Sequence, residues 1–250
     1  MRATEFEFRY RFWLIALAYS AGFWCYAIDH INAGEAIAQR IAGHVLQLQR
    51  IADRSLLHVV FGCGVLVVVL AALIRTWAAA FLRSEVVHDS NLHAEALVAD
   101  GPYRYVRNPL YLGGVLLAIG FGFLASRLGF AFMVAAISLL YYRLIRREEA
   151  ALLETQGQSY RQFLATVPRL IPSLKPRVPS AGAKPRWGQA FLGETLMWLF
   201  AVTALAFAVT LSPPVFYISL GLSLAGYWVT MVLVLGRRRK PRPTEKPAHH

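Results

Sequence analysis

The residues best suited to chemistry fall in two segments of the chain. The first, 97–113, contains Gly101-Pro102-Tyr103-Arg104-Tyr105-Val106-Arg107-Asn108-Pro109-Leu110-Tyr111. Pro109 has no N–H and a fixed φ, which suits the first turn of a helix. Asn108 before it is a natural N-cap. Arg107 and Asn108 then sit at a helix start, where free N–H groups and the helix dipole favour an anion such as a carboxylate. The second segment begins Arg146-Arg147-Glu148-Glu149 and continues through Gly157, Tyr160 and Phe163 to Pro168-Arg169. Glu148 and Glu149 offer carboxylates to cationic or hydroxyl groups. Tyr103, Tyr105 and Tyr111 offer flat rings. Taken together these groups suit a zwitterionic nucleoside. Each also has a plainer reading. The charges suit a solvated membrane edge, the tyrosines an interfacial aromatic belt, and Asn108-Pro109 a simple cap. It is the combination that favours a site.

The elements that must position these groups follow from the apolar pattern. Of 250 residues, 57% are hydrophobic and 16% charged, against roughly 45–50% apolar in an ordinary soluble domain. This excludes a disordered or acidic tail protein. Apolar runs cover 12–28, 56–82, 110–145, 191–211 and 215–235. The third is 36 residues long, more than the roughly 20 that one span needs. Ser126-Arg127-Leu128-Gly129 breaks it into two spans, and Ser212-Pro213-Pro214 is a second turn. The expectation is an all-α, polytopic membrane helix bundle of about six transmembrane helices. The third and fourth spans form a hairpin, so Arg107 and Asn108 come near Glu148 and Glu149. The fourth span continues out of the membrane as a helix that ends near Gly157.

Basic residues set the orientation. With the N-terminus inside, 21 Lys and Arg fall in inside segments and four outside. Both termini are therefore expected in the cytoplasm, and the net charge of +12 needs no nucleic acid to explain it. Glu5 and Glu7 dilute the positive region before the first run, which favours an anchor over a signal peptide. In the outside loop, Ile37, Ile41, Val45, Leu48 and Ala52 have the spacing of a helix lying at the membrane surface. Gly114, Ala118 and Gly122 make one face of the third span flat, which suits close packing in lipid. The glycine pattern in 120–125 lies inside an apolar span with no strand before it and is no dinucleotide fingerprint. Cys25 and Cys63 lie in apolar runs and read as two buried thiols. The histidines show no metal spacing; His30, His44 and His58 read as interface or satisfied bundle positions. No nucleophile-elbow pattern occurs. The expected organisation is a core over 1–187 made of four spans plus a cytoplasmic helix over 146–166, a two-span extension over 188–236, and a basic disordered tail over 237–250.

The two segments together resemble the isoprenylcysteine carboxyl methyltransferase and phospholipid methyltransferase superfamily. The resemblance rests on Leu97-Val98, Gly101-Pro102-Tyr103-Arg104, Arg107-Asn108-Pro109 and Tyr111. After a helical hairpin come Glu148-Glu149, Gly157 to Tyr160, and Pro168-Arg169 to Pro172, so the match covers about 75 residues. It implies a membrane-embedded methyltransferase that uses S-adenosylmethionine without a Rossmann domain. The acceptor it implies is lipophilic or lipid-anchored and arrives from the bilayer. Carried over, the cofactor-side residues are Leu97, Val98, Gly101, Tyr103, Arg107, Asn108, Pro109, Tyr111, Gly113, Glu148 and Glu149. Glu148, Glu149 and Arg169 are the catalytic candidates, and Tyr160 and Arg169 face the substrate. The chain departs from many relatives in having Asn108 and Glu95 where they carry His, with His93 two residues from the latter. It also departs in its two extra spans.

Methyl transfer from a sulfonium is an in-line displacement that needs alignment above all. A carboxylate or thiolate acceptor needs no base, an amine needs one, and Glu148 or Glu149 is the nearby class. No metal is required. The expected location is a bacterial inner membrane, with the site on the cytoplasmic face. Two other classes remain: a reductase of the sterol-reductase type using NADPH, and a non-enzymatic polytopic protein. A transporter calls for repeats or mid-membrane charges, and only Arg75 and Glu194 come close.

Overall fold

The computed structural model describes residues 2–44, 54–82 and 100–238. Its helices are α1 (Glu5–Arg9), α2 (Arg11–Trp24), α3 (Ala33–His44), α4 (Arg54–Phe81), α5 (Pro109–Gly122), α6 (Arg127–Thr166), α7 (Trp187–Gly193), α8 (Thr195–Thr210) and α9 (Pro213–Arg238). Short 3-10 turns lie at Cys25–Ala27 and Gly101–Arg104. Among the described residues there is no strand, only an isolated bridge between Asn32 and Ser126. The all-α bundle is as expected.

Each of the six expected spans contains a helix, but the helices differ in length. Among the described residues, α4, α6 and α9 as far as Leu233 are long and apolar enough to cross a membrane. The pair α7 and α8, bent by 60°, adds a fourth if it is read as one broken span. Helix α5 has 14 residues, which at 1.5 Å per residue is about 21 Å, short of the roughly 30 Å hydrocarbon core. Helix α2 is equally short, at 14 residues.

The α5–α6 turn forms at the expected break. Ser126 caps α6 by accepting from the Gly129 amide at 3.1 Å. The start of α3 is tied to this turn by Ala33 N–H donating to Ala125 O at 2.8 Å, and by Arg127 N–H donating to Ile31 O at 3.1 Å. Helix α3 covers the first part of the expected surface helix, while residues 45–53 lie outside the described residues. Its buried face is Ala33, Gly34, Ala38 and Ala42, and Ile37 is exposed.

Small residues set the core. Gly64 of α4 and Gly120 of α5 meet where the two helices cross. Gly114 and Gly122 on the other side of α5 receive Tyr141 and Phe130 of α6, which bears out the packing reading of that face. Without a hydrophobic force between helices in lipid, such close backbone approach supplies the attraction. Ala201, Ala204 and Ala208 of α8 are buried. Trp198 donates to Thr76 Oγ1 at 3.0 Å, joining α8 to α4. His58 Nδ1 lies 2.6 Å from Ala208 O, so this histidine is a satisfied bundle position as expected. Trp13, Leu66, Val209 and Leu222 point outward and are exposed, as lipid-facing positions would be.

The buried-thiol expectation fails here. Cys63 is exposed and Cys25 only partly buried. In an all-round apolar helix, hydrophobic neighbours in sequence do not decide which side packs on protein and which faces outward. The helix that continues the fourth span is interrupted at Gly157, where its end is expected. The helix breaks there with φ 57 and ψ −123, a left-handed φ that glycine adopts freely, and then resumes to Thr166. At the C-terminus, α9 runs on to Arg238, so the first two positions assigned to the tail are helical. The rest of 237–250 lies outside the described residues.

Candidate functional site

The chain enters the site through a tight turn. Gly101 has φ 58, and the Phe81 ring lies where a Cβ would sit. Its role in the structure is therefore the turn itself. Asp100 before it is 1% exposed. Its carboxylate accepts from Ser180 Oγ at 2.6 Å, Ala183 N at 2.8 Å and Ala181 N at 3.0 Å. Burial alone raises its pKa, but these three donors outweigh it and hold the carboxyl below its ordinary value of 3.8.

From Asp100 to Asn108 the chain is held by a strap formed by residues 167–183. Arg107 N–H donates to Pro168 O at 2.9 Å, Ser173 N–H to Tyr105 O at 3.0 Å, and Arg177 N–H to Arg104 O at 2.8 Å. The strap was legible as a proline-bearing segment, but its partners were not. Asp100 was missed as an anchor, although an acid beside a Gly-Pro turn is a usable signal.

Pro109 is buried at the first position of α5, as expected. Asn108 takes the N-cap place, but its side chain makes no cap bond. Instead its Nδ2 donates to Arg169 O at 3.1 Å. The strap competes for the amide and wins it, leaving the first-turn amides of α5 uncapped by Asn108.

Glu148 and Glu149 part company. Consecutive helical residues point about 100° apart, and these two serve different neighbours. Glu149 is buried, with its carboxylate between two guanidiniums. Arg169 Nη2 lies 2.9 Å and Nε 3.1 Å from Oε2. Arg107 Nε lies 3.1 Å from Oε1, close enough for an ion pair but not aligned as a hydrogen bond. Arg107 Nη1 donates instead to the carbonyls of Leu164 and Val167. Glu149 raises the Arg169 pKa further above its ordinary value.

Glu148 faces α5. Tyr111 donates its hydroxyl to Glu148 Oε1 at 2.7 Å, and the Tyr111 and Tyr141 rings meet edge to face at 5.1 Å. Tyr160 is buried with Phe163 and Val167, and Tyr103 packs on this cluster. The Tyr103 hydroxyl is buried without a hydrogen-bond partner among the described residues. Burial pushes its pKa up.

The structure therefore brings Tyr103, Arg107, Asn108, Pro109, Tyr111, Glu148, Glu149, Tyr160 and Arg169 to one end of the bundle. Leu97 and Val98 lie outside the described residues. Gly113 lies deeper, under the Arg75 side chain. A cleft of about 380 Å³ opens beside Arg107, Arg169 and Arg177. A larger hollow of about 890 Å³ lies at the opposite end between α3 and α6. The smaller cleft is the one that adjoins the Arg107–Glu149–Arg169 cluster. Among the described residues no three His, Cys, Asp or Glu groups are placed to hold a metal.

Fold and site define a helical membrane-type protein with a polar, arginine- and carboxylate-rich end. Residues 59–159 match the family model described as Phospholipid methyltransferase. Over that stretch the chain is similar to this family of integral membrane methyltransferases. Comparison with curated proteins found no match, and comparison with solved structures found none.

Proposed function

We propose that this protein is an S-adenosylmethionine-dependent methyltransferase of the membrane, acting on a lipophilic or lipid-anchored acceptor. The observation that carries this reading is the convergence, at the start of α5, of the Tyr111–Glu148 pair and the Arg107–Glu149–Arg169 cluster. Most of these residues lie within the family-matched stretch, and Arg169 lies just past it.

The residues fit such a cofactor on chemical grounds. Two guanidiniums on one carboxylate leave an excess positive charge beside the cleft, with Arg177 adding to it. A carboxylate is a suitable occupant, and the uncapped first turn of α5 favours the same sign. The buried Tyr103 hydroxyl is a further group in want of a partner. Glu148 keeps one carboxylate oxygen beyond its Tyr111 bond, available to a cation or to a proton leaving an amine acceptor. When bound, the cofactor supplies an electrophilic methyl group. The protein's part is to align the acceptor and exclude water. Glu149 and Arg169 hold the strap against α5 and so shape the cleft. Leu97 and Val98 precede this site in sequence and remain cofactor-side candidates.

The reading places the site on the cytoplasmic face of a bacterial inner membrane, with both termini inside, in keeping with the basic asymmetry. A soluble acceptor would not require a site at the mouth of so apolar a bundle. The test is an assay with methyl-labelled cofactor, offered membrane lipid extract beside a water-soluble metabolite pool. Label in the lipid phase is the expected result. Label only in the aqueous pool overturns the lipophilic acceptor, and label in neither overturns the activity.

A further inference from the structure

Arg75 and Glu194 form an ion pair that the site described above does not use. Arg75 rises from α4 and passes across α5 at Gly113. A Cβ at position 113 would meet Arg75 Cγ at 2.4 Å and Ala71 O at 3.0 Å, so only glycine lets the side chain through. Beyond Gly113 the guanidinium divides. Nη1 donates to Leu110 O at 3.0 Å. Nε and Nη2 donate to the two Glu194 oxygens at 2.7 Å and 3.0 Å.

Glu194 is 7% exposed and stands at the bend between α7 and α8. It lies outside the family-matched stretch, while Arg75, Leu110 and Gly113 lie inside it. A bidentate carboxylate fixes the plane of a guanidinium as well as its place. Arg75 is therefore held at one orientation, and that orientation delivers its remaining donor to Leu110. Leu110 stands between Pro109 and Tyr111, whose hydroxyl holds Glu148.

We propose that Glu194 is a positioning residue for the methyl-transfer site. Through Arg75 it fixes the first turn of α5, and with that turn Tyr111 and its free amides. The C-terminal helices are then a working part of the site and not an appendage to it. This rests on the methyltransferase reading above. A plain staple, joining α7 and α8 to α4, is the alternative that the test must separate.

Three variants of the detergent-purified full chain do so: Glu194→Ala, Glu194→Gln, and the reversed pair Arg75→Glu with Glu194→Arg. The reversed pair keeps an ion pair but has no donor for Leu110 O. The readouts are the thermal midpoint, calorimetric affinity for S-adenosylhomocysteine, and amide exchange over 110–114. Glu194→Ala should weaken affinity by roughly tenfold, the order of coupling carried through a packed network, and speed exchange. Glu194→Gln still accepts from Arg75 and should fall between it and wild type. The reversed pair should regain the midpoint but keep the weak affinity and the fast exchange. If it does not fold, the graded Gln and Ala series decides. Restored affinity and slow exchange in the reversed pair overturn the proposal, as does Glu194→Ala within twofold of wild type on both. If the wild type itself binds no S-adenosylhomocysteine, the methyltransferase reading fails. Exchange over 110–114 then decides alone whether Glu194 fixes the turn.

Discussion

Glu148 and Glu149 are chemically identical neighbours, yet they occupy two different regions. Around Glu149 the structure is closed. Two arginines take up its charge, one of them also bonded to strap carbonyls, and the carboxylate is buried. Around Glu148 it is open. One tyrosine hydroxyl is its hydrogen-bond partner, and the residue is only half-buried. A satisfied buried charge holds a structure in register, whereas a carboxylate with spare acceptor capacity can meet a ligand. On the methyltransferase reading proposed above, Glu149 shapes the site and Glu148 meets the ligand.

The comparison breaks most visibly at Glu149. Glu149→Ala leaves Arg107 buried without its counter-charge, which costs about 3 kcal/mol. The thermal midpoint in detergent should fall steeply, and the strap should become a protease target. A midpoint near that of the wild type would mean that the cluster is not structural. Gly113→Ala comes next, because its methyl group meets both Arg75 and the Ala71 carbonyl. Overpacking of this kind costs about 1–3 kcal/mol, read as a lower midpoint and a displaced α5. Tyr111→Phe removes one hydrogen bond, a loss of about 1 kcal/mol. It should alter turnover more than stability if Glu148 serves the ligand. Glu148→Gln should have the smallest effect on the midpoint, since the amide oxygen still accepts from Tyr111. It should nevertheless reduce methyl transfer at least roughly tenfold if the carboxylate meets a cation or a proton. Equal activity would remove Glu148 from the site.

Asp100 sharpens the comparison through pH. Its folded pKa lies below the ordinary 3.8. Its contribution is thus fully present above 3.8 and is lost as pH falls through the lower folded value. Asp100→Asn should flatten the acid limb of the stability curve, with little change near neutrality in its slope. An unchanged acid limb would show that the Ser180, Ala181 and Ala183 bonds do not anchor the turn.

Much of the helical frame was legible because apolar runs longer than about 17 residues have few alternatives. Pro109 and the Ser126 turn were placed by backbone chemistry that acts within a few residues. The neighbourhood of Arg107 and Glu149 followed from the hairpin alone. What lay hidden depends on contacts between distant residues. Asn108 stands where a cap belongs, but Arg169, 61 residues away, takes its side chain. The division of Glu148 from Glu149 needs the rotation of α6 about its axis, which an even apolar pattern does not reveal. Arg75 and Glu194 are 119 residues apart and were visible only as charges near the membrane interior. The passage of Arg75 across Gly113 is likewise a contact between distant residues. Cys63 was misjudged because hydrophobic sequence marks lipid-facing and protein-facing sides alike.

On the methyltransferase reading, the end of the bundle around α5 and Glu148 binds an S-adenosylmethionine-type cofactor. Calorimetric titration of the detergent-purified protein with S-adenosylhomocysteine tests it most directly, with NADPH titrated in parallel. The expected result is saturable heat with S-adenosylhomocysteine, weakened in Glu148→Gln, and none with NADPH. Saturable heat with NADPH and none with S-adenosylhomocysteine would contradict it.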